Sequence, residues 1–160
     1  MTGLTRKCQY ALRALYFLAH EYGKGPILIQ HISAHANAPA GFLQSILFEL
    51  KHAGILESQR GAQGGYYFRN PPERLTVGAI VRIIDGPIVT LPCVGEGDTR
   101  ACADCHDSAD ACRTRFLMRE VHEAVLAILD HAPILATGHP VTQPIEFPLM
   151  ERESDAPLSI

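Results

Sequence analysis

The chain has 160 residues, 47% of them apolar and 19% charged, and a formal net charge of −3. That composition excludes a disordered chain, and nothing in the sequence approaches the run of about eighteen apolar residues that a membrane span needs. The charge is unevenly divided: residues 1–75 carry eight Lys and Arg against four Glu, and residues 76–160 carry six Arg against thirteen acids. A basic front half on an acidic chain suits a polyanionic partner.

The first segment, "MTGLTRKCQYALRALYFLAH", has Arg13 inside its apolar run and no small-residue cleavage site after it. It therefore reads as an amphipathic helix rather than a signal peptide, and the expected location is the cytoplasm. Ala11, Leu15 and Leu18 lie at helical spacing, Thr5 suits the N-cap, and Gly23 and Gly25 end the helix before Pro26. A short helix follows in "ILIQHISAHAN". In "APAGFLQSILFELKHAG", Pro39 opens a third helix, Leu43, Leu47 and Leu50 form its buried stripe with Phe42 and Ile46 beside it, and Gly54 stops it. The opposite face begins with Ala40, Gly41, Gln44 and Ser45 and runs on to Lys51. Two short helices joined by a tight turn, the second with small and amide side chains near its start, have the form of a helix-turn-helix.

"ILESQRGAQGGYYFRNPP" then alternates strand-like runs, Ile55 to Ser58 and Tyr66 to Phe68, around a glycine-bearing turn. A hairpin placed directly after a recognition helix makes a wing, and Arg60 at its edge can reach phosphate or a narrow minor groove. "LTVGAIVRIIDGP" reads as a fourth helix capped by Thr76. From Cys93 to Cys112 the chain is expected to be loop. After it, "RTRFLMREVHEAVLAILDHA" is a long helix on which Leu117, Val121, Ala124 and Ile128 make an apolar stripe that needs a cover, most simply a second subunit. From Pro133 on, the prolines predict an extended tail. The expected architecture is mainly α with a small β-hairpin wing: a winged helix-turn-helix domain over 1–86, a cysteine-rich segment over 87–112, a dimerisation helix over 113–132 and a tail over 133–160.

Four of the five cysteines, Cys93, Cys102, Cys105 and Cys112, fall within twenty residues. In a reducing compartment such a cluster points to metal binding or redox chemistry rather than a disulfide framework. Thiolates suit an iron–sulfur cluster and equally a structural zinc. A catalytic dithiol at Cys102 and Cys105 lacks the βαβ setting such pairs use, and no nucleophile elbow, phosphate loop or HExxH motif is present, so the chain does not read as an enzyme.

The pieces "YALRAL", "FLQSILFELKHAGILESQRGAQGGY" and "LTVGAIVRIIDGP", followed by the cysteine segment and a helix, resemble the Rrf2 family of bacterial transcription regulators over roughly residues 4 to 131. The resemblance implies a homodimer that binds double-stranded operator DNA and represses or activates according to the state of an iron–sulfur cluster, [2Fe–2S] or [4Fe–4S]. It implies base contacts from Gln44 and Ser45 beside Gly41, a phosphate contact from Lys51, and Arg60 in the minor groove. Gly64 and Gly65 would let the wing turn approach the backbone, although turn geometry alone also accounts for them. The spacing departs from the three-cysteine family pattern. Either all four of Cys93, Cys102, Cys105 and Cys112 ligate, or one of Cys102 and Cys105 is spare and the partner's first helix, near Cys8 and Gln9, supplies the fourth ligand. A structural zinc or thiol-redox site is the alternative. The signal (nitric oxide, iron or cluster supply, oxygen, or redox potential) stays open.

Overall fold

The structure is a computed structural model that describes residues 4–61, 63–96 and 112–135. The first helix, α1 (Arg6–His20), starts where Thr5 accepts a hydrogen bond from the Cys8 backbone N–H at 3.1 Å. This is the N-cap that the sequence predicts. α1 buries Cys8, Ala11, Leu15 and Leu18, a stripe at helical period that faces α2 (Ile29–Ala36) and α3 (Ala40–His52). Asn37 ends α2 in the left-handed conformation at φ 48°, a region that asparagine tolerates better than most residues. The Ser33 hydroxyl donates to the Ala38 carbonyl at 2.6 Å and closes the turn. α3 then buries Leu43, Ile46, Leu47 and Leu50. Phe42, expected beside them, is exposed instead. The four inward residues complete the contact with the body, and Phe42 is left at its rim with its ring edge-on to Tyr10.

β1 (Leu56–Gln59) and β2 (Gly65–Phe68) pair antiparallel, with Leu56 opposite Phe68 and Gln59 opposite Gly65. Leu56 and Phe68 point inward and anchor the wing on the core. Tyr66 exchanges two backbone hydrogen bonds with Ile27, at 2.9 and 3.0 Å, which fixes the hairpin against the segment that enters α2. A 3-10 turn at Pro72–Arg74 leads to α4 (Val77–Ile84), whose N-cap Thr76 accepts from the Ala79 N–H at 3.2 Å. α4 packs Ile80, Val81 and Ile84 into the core, and at its end the Asp85 carboxylate accepts from both the backbone N–H and the hydroxyl of Thr5.

Two features differ from the sequence expectation. The segment before the loop is not all irregular: β3 (Val89–Leu91) and β4 (Val94–Gly95) form a second, very short hairpin with Cys93 in its turn. Strands this short carry too little alternation to be read from sequence. The buried Thr90 hydroxyl donates within this hairpin to the Val94 carbonyl at 3.2 Å and faces the Met118 carbonyl of α5 (Arg113–His131) at 3.4 Å. The second difference lies just past α5, where an extended tail is expected from Pro133. The chain there folds back on α4 instead: Val77 donates to the Ala132 carbonyl at 2.8 Å, Ile134 donates to the Leu75 carbonyl at 2.7 Å, and the Ile134 side chain is buried. Residues 136–160 lie outside the described residues. Among the described residues, no helix is long and apolar enough to cross a membrane.

Candidate nucleic-acid interface and cysteine site

Because Leu43, Ile46, Leu47 and Leu50 face inward, helical geometry turns Gly41, Gln44, Ser45 and Phe48 to the other side of α3, and all four are exposed. The Gln44 amide is free to offer the donor–acceptor pair that matches adenine N6 and N7. The Ser45 hydroxyl donates back to the Phe42 carbonyl at 2.7 Å, so its oxygen still presents acceptor lone pairs to solvent. Lys51 reaches across to the wing and donates to the Ser58 hydroxyl at 2.7 Å, tying the last turn of α3 to β1. Arg60 follows β1 directly, is exposed, and makes no hydrogen bond or ion pair among the described residues. Acidic groups nearby are paired: Glu49 with Lys7 at 2.6 Å, and Glu57 with Arg69 at 3.6 Å and the Tyr67 hydroxyl at 2.9 Å. That hydrogen bond also raises the Tyr67 phenol above its ordinary pKa. The face of α3 together with the wing thus carries free cationic and amide groups and little unpaired acid.

The two wing glycines have steric reasons to be glycine. A Cβ at Gly64 would strike the Gln59 carbonyl oxygen and the Arg60 carbonyl carbon. Gly65 has φ +149°, and a Cβ there would fall on the Ile27 carbonyl. Turn geometry and the Ile27 bridge therefore account for both. Gly41 is different, because nothing lies within 4 Å of a Cβ added there.

Of the cysteines, Cys93 sits half-buried in the β3–β4 turn and Cys112 sits half-buried at the N-cap of α5, where its Sγ accepts from the Arg115 N–H at 3.4 Å. Both ends of the cysteine segment are therefore anchored on structured elements. Cys102 and Cys105, with His106 beside them, lie outside the described residues. Among the described residues no three His, Cys, Asp or Glu side chains converge as a metal site. Two placed thiols, with two more on the chain between them, nevertheless make a donor set that fits an iron–sulfur cluster or a zinc. Cys8 is fully buried in α1, and burial, with the Asp85 carboxylate second, pushes its thiol up to about 12. Its side chain lies in the core cluster with Ala11 and Leu15. Gln9 is exposed and donates to the Leu4 carbonyl at 2.9 Å.

The Rrf2 family profile, described as an iron-dependent transcriptional regulator, matches residues 4–135. The chain belongs to the Rrf2 family. It is 38% identical to an rrf2-like HTH-type transcriptional regulator of Rhodobacter capsulatus, over 89% of this chain and 99% of that one. It is 28% identical to the HTH-type transcriptional regulator IscR of Aliivibrio salmonicida, over 79% of this chain and 71% of that one. Among solved structures, CymR (YrzC), the global cysteine regulator of B. subtilis, superposes with a TM-score of 0.69 at 28% identity, covering 84% of this chain and 94% of that one. The winged-helix architecture and the role of transcriptional regulator rather than enzyme follow from these relationships.

Within this Rrf2 chain the structure brings together residues that the sequence reading passed over. Phe48 stands 58% exposed on the same face as Gln44, an apolar residue where periodicity alone expects a polar one. On α5, Phe116 and Leu117 are 61% and 62% exposed and Ile128 is exposed, while Val121 and Ala124 are half-covered. Its own domain thus leaves much of the apolar stripe open. The only buried residue of α5 is His122, at 7% exposure, whose Nδ1 has no hydrogen-bond partner. With Cys93, Arg115 and Arg119, His122 lines a cleft of about 240 Å³. Its place on α5 is roughly 15 Å of helix axis beyond Cys112. Arg82 on α4 joins two carboxylates, Glu96 beside β4 and Asp130 in the last turn of α5. Paired charges of this kind have no local sequence signature.

Proposed function

We propose that this Rrf2 regulator acts as a homodimer whose affinity for double-stranded operator DNA is set by an iron–sulfur cluster held by Cys93, Cys112 and one or both of Cys102 and Cys105. The observation that carries this reading is the placement of Cys93 and Cys112. One sits on the β3–β4 hairpin and the other at the start of α5, the two elements that lie between the winged helix-turn-helix body and the open apolar face of α5. When bound, the cluster supplies an oxidant- and nitric-oxide-labile bond between these two points.

The chain's own residues do the rest. The exposed stripe of Leu117 and Ile128 is closed by its copy in a second chain, which presents two α3 helices to half-sites about 34 Å apart, one helical turn of DNA. Gln44 and Ser45 read base edges. Arg60 enters the minor groove, and Lys51 braces the wing against α3 while its charge faces phosphate. Holding or releasing Cys93 relative to Cys112 alters the tilt of α5, and so the spacing of the two recognition helices, which shifts the population of binding-competent dimers.

A zinc held by the same four thiols is the second reading that the donor set allows. Protein purified without oxygen and assayed for iron, acid-labile sulfide, zinc and visible absorption separates the two. Iron and sulfide with a brown chromophore, together with an operator affinity that changes when the cluster is removed, is the expected result. Zinc without sulfide would overturn the cluster reading and leave a structural clasp.

A further inference from the structure

Three elements meet at Arg82, in the last turn of α4. Its Nε donates to Glu96 Oε1 and Oε2 at 2.8 and 2.9 Å, and its Nη2 also reaches Oε1 at 2.5 Å. On the other side, Nη1 donates to Asp130 Oδ1 at 2.5 Å and Nη2 to Oδ2 at 3.0 Å. Glu96 is held in turn by the Ile88 N–H at 3.0 Å. Asp130 lies against Gly78, where an added Cβ would strike its Oδ1. One guanidinium therefore grips the hairpin that carries Cys93 and the last turn of the helix that Cys112 caps. α4 is itself locked to α1, because Asp85 at its end accepts from the N–H and hydroxyl of Thr5 at 3.1 and 2.5 Å.

We infer that Arg82 is the positioning residue that couples the cysteine site to the DNA-binding body. It holds the Cys93 hairpin and α5 in one fixed relation to α4, so that whatever ties or frees Cys93 and Cys112 is felt as a movement of α4 and α1 rather than absorbed locally. This rests on the reading that the cysteines hold a cluster. Three physical points support it. Only a planar five-donor fork can engage two carboxylates at once in this way, which a lysine ammonium cannot reproduce. The side chains of Arg82, Glu96 and Asp130 keep 31%, 27% and 41% of their exposure; ion pairs this open add little to stability, so what the cluster of charges fixes is geometry. Between the Cys93 hairpin and α5, which also pack directly on each other, the Thr90 hydroxyl makes only a long contact with the Met118 carbonyl at 3.4 Å, weaker than the charged clasp.

The test uses the full chain, purified without oxygen, as the unsubstituted protein and as Arg82→Met, Arg82→Lys, Glu96→Gln and Asp130→Asn. The probe is a duplex selected from random sequence by the unsubstituted protein. Each protein is assayed for iron and sulfide per chain and for duplex affinity with the cluster loaded and stripped. Coupled sites differ by roughly 5–150-fold between states. The expected result is unchanged iron and sulfide in Arg82→Met, with the loaded-to-stripped affinity ratio falling close to one. Arg82→Lys should be intermediate, and each carboxylate variant should lose part of the ratio. If Arg82→Met does not fold, Glu96→Gln and Asp130→Asn decide the matter, because each cuts one arm of the clasp. A ratio retained in full across the variants would overturn the coupling role while leaving the cluster reading intact. An unsubstituted protein whose affinity ignores the cluster would overturn the cluster reading and, with it, this inference.

Discussion

Replacing Gly65 with Ala tests the claim that backbone contact with Ile27 holds the wing alongside the inward side chains of Leu56 and Phe68. Gly65 sits at φ +149°, where an L side chain is strained, and its missing Cβ leaves room for the Ile27 carbonyl. Strain at such a position costs about 1–3 kcal/mol. The new methyl also pushes Ile27 away from Tyr66, and the two hydrogen bonds between them, at 2.9 and 3.0 Å, are worth roughly 0.5–1.5 kcal/mol each. A loss of about 2–6 kcal/mol follows, a large share of the 5–15 kcal/mol typical of a whole domain. Urea unfolding followed by circular dichroism reads it directly. Gly41→Ala is the control. No atom lies within 4 Å of its added Cβ, so the helix should gain about 0.5–1 kcal/mol, while operator affinity should fall about tenfold if the DNA backbone or a base edge approaches this point. A Gly65→Ala protein that loses less than about 1 kcal/mol would refute the account of the wing. A Gly41→Ala protein with unchanged affinity would refute the placement of Gly41 at the interface.

The same picture makes further measurable claims. Gln44→Ala should cost about 1–3 kcal/mol on the selected duplex and relax its preference at one base pair per half-site, whereas Arg60→Ala should weaken binding mainly where the minor groove is narrow; parallel selections with both variants distinguish these outcomes. Leu117→Asp should turn the dimer into a monomer in sedimentation while leaving the unfolding of the winged domain intact, and a dimer that persists would mean that another face assembles it. Cys8 should resist alkylation in the native protein at pH 8 and react only on unfolding. Its thiol is raised from 9.0 to about 12 in the fold, so its contribution to stability is complete below pH 9.0 and is lost as pH climbs toward about 12. In acid the sign reverses. Arg82 holds Glu96 and Asp130 below their ordinary values of 4.5 and 3.8, so both stabilise the fold above those values and cease to do so as pH falls through their lowered ones. The acid slope of stability should therefore be only slightly shallower in Arg82→Met, because pairs this open contribute about 0–1 kcal/mol, and a much larger change would show the clasp to be a main support of the fold.

How much of this was written in the sequence depended on the range of the interaction. Helix spacing placed Leu43, Leu47 and Leu50 inside and Gln44 outside, because a 3.6-residue period is a local property. Thr5 and Thr76 announced their helices, because a cap bonds a neighbour only three residues on. The wing was readable from its glycines and alternation, and the grouping of Cys93, Cys102, Cys105 and Cys112 spoke for itself. Tertiary structure alone decided the rest. It folded 132–135 back onto α4, made a hairpin around Cys93, and left Phe42 and Phe48 in solvent. It also buried Cys8 beside Asp85 and brought Glu96 and Asp130 to one guanidinium. Apart from the short hairpin, these rest on residues distant in the chain, such as Thr5 with Asp85 and Arg82 with Asp130, and on how helices and hairpins pack. Packing depends on the summed shape and charge of several elements at once, and no single stretch of sequence carries it.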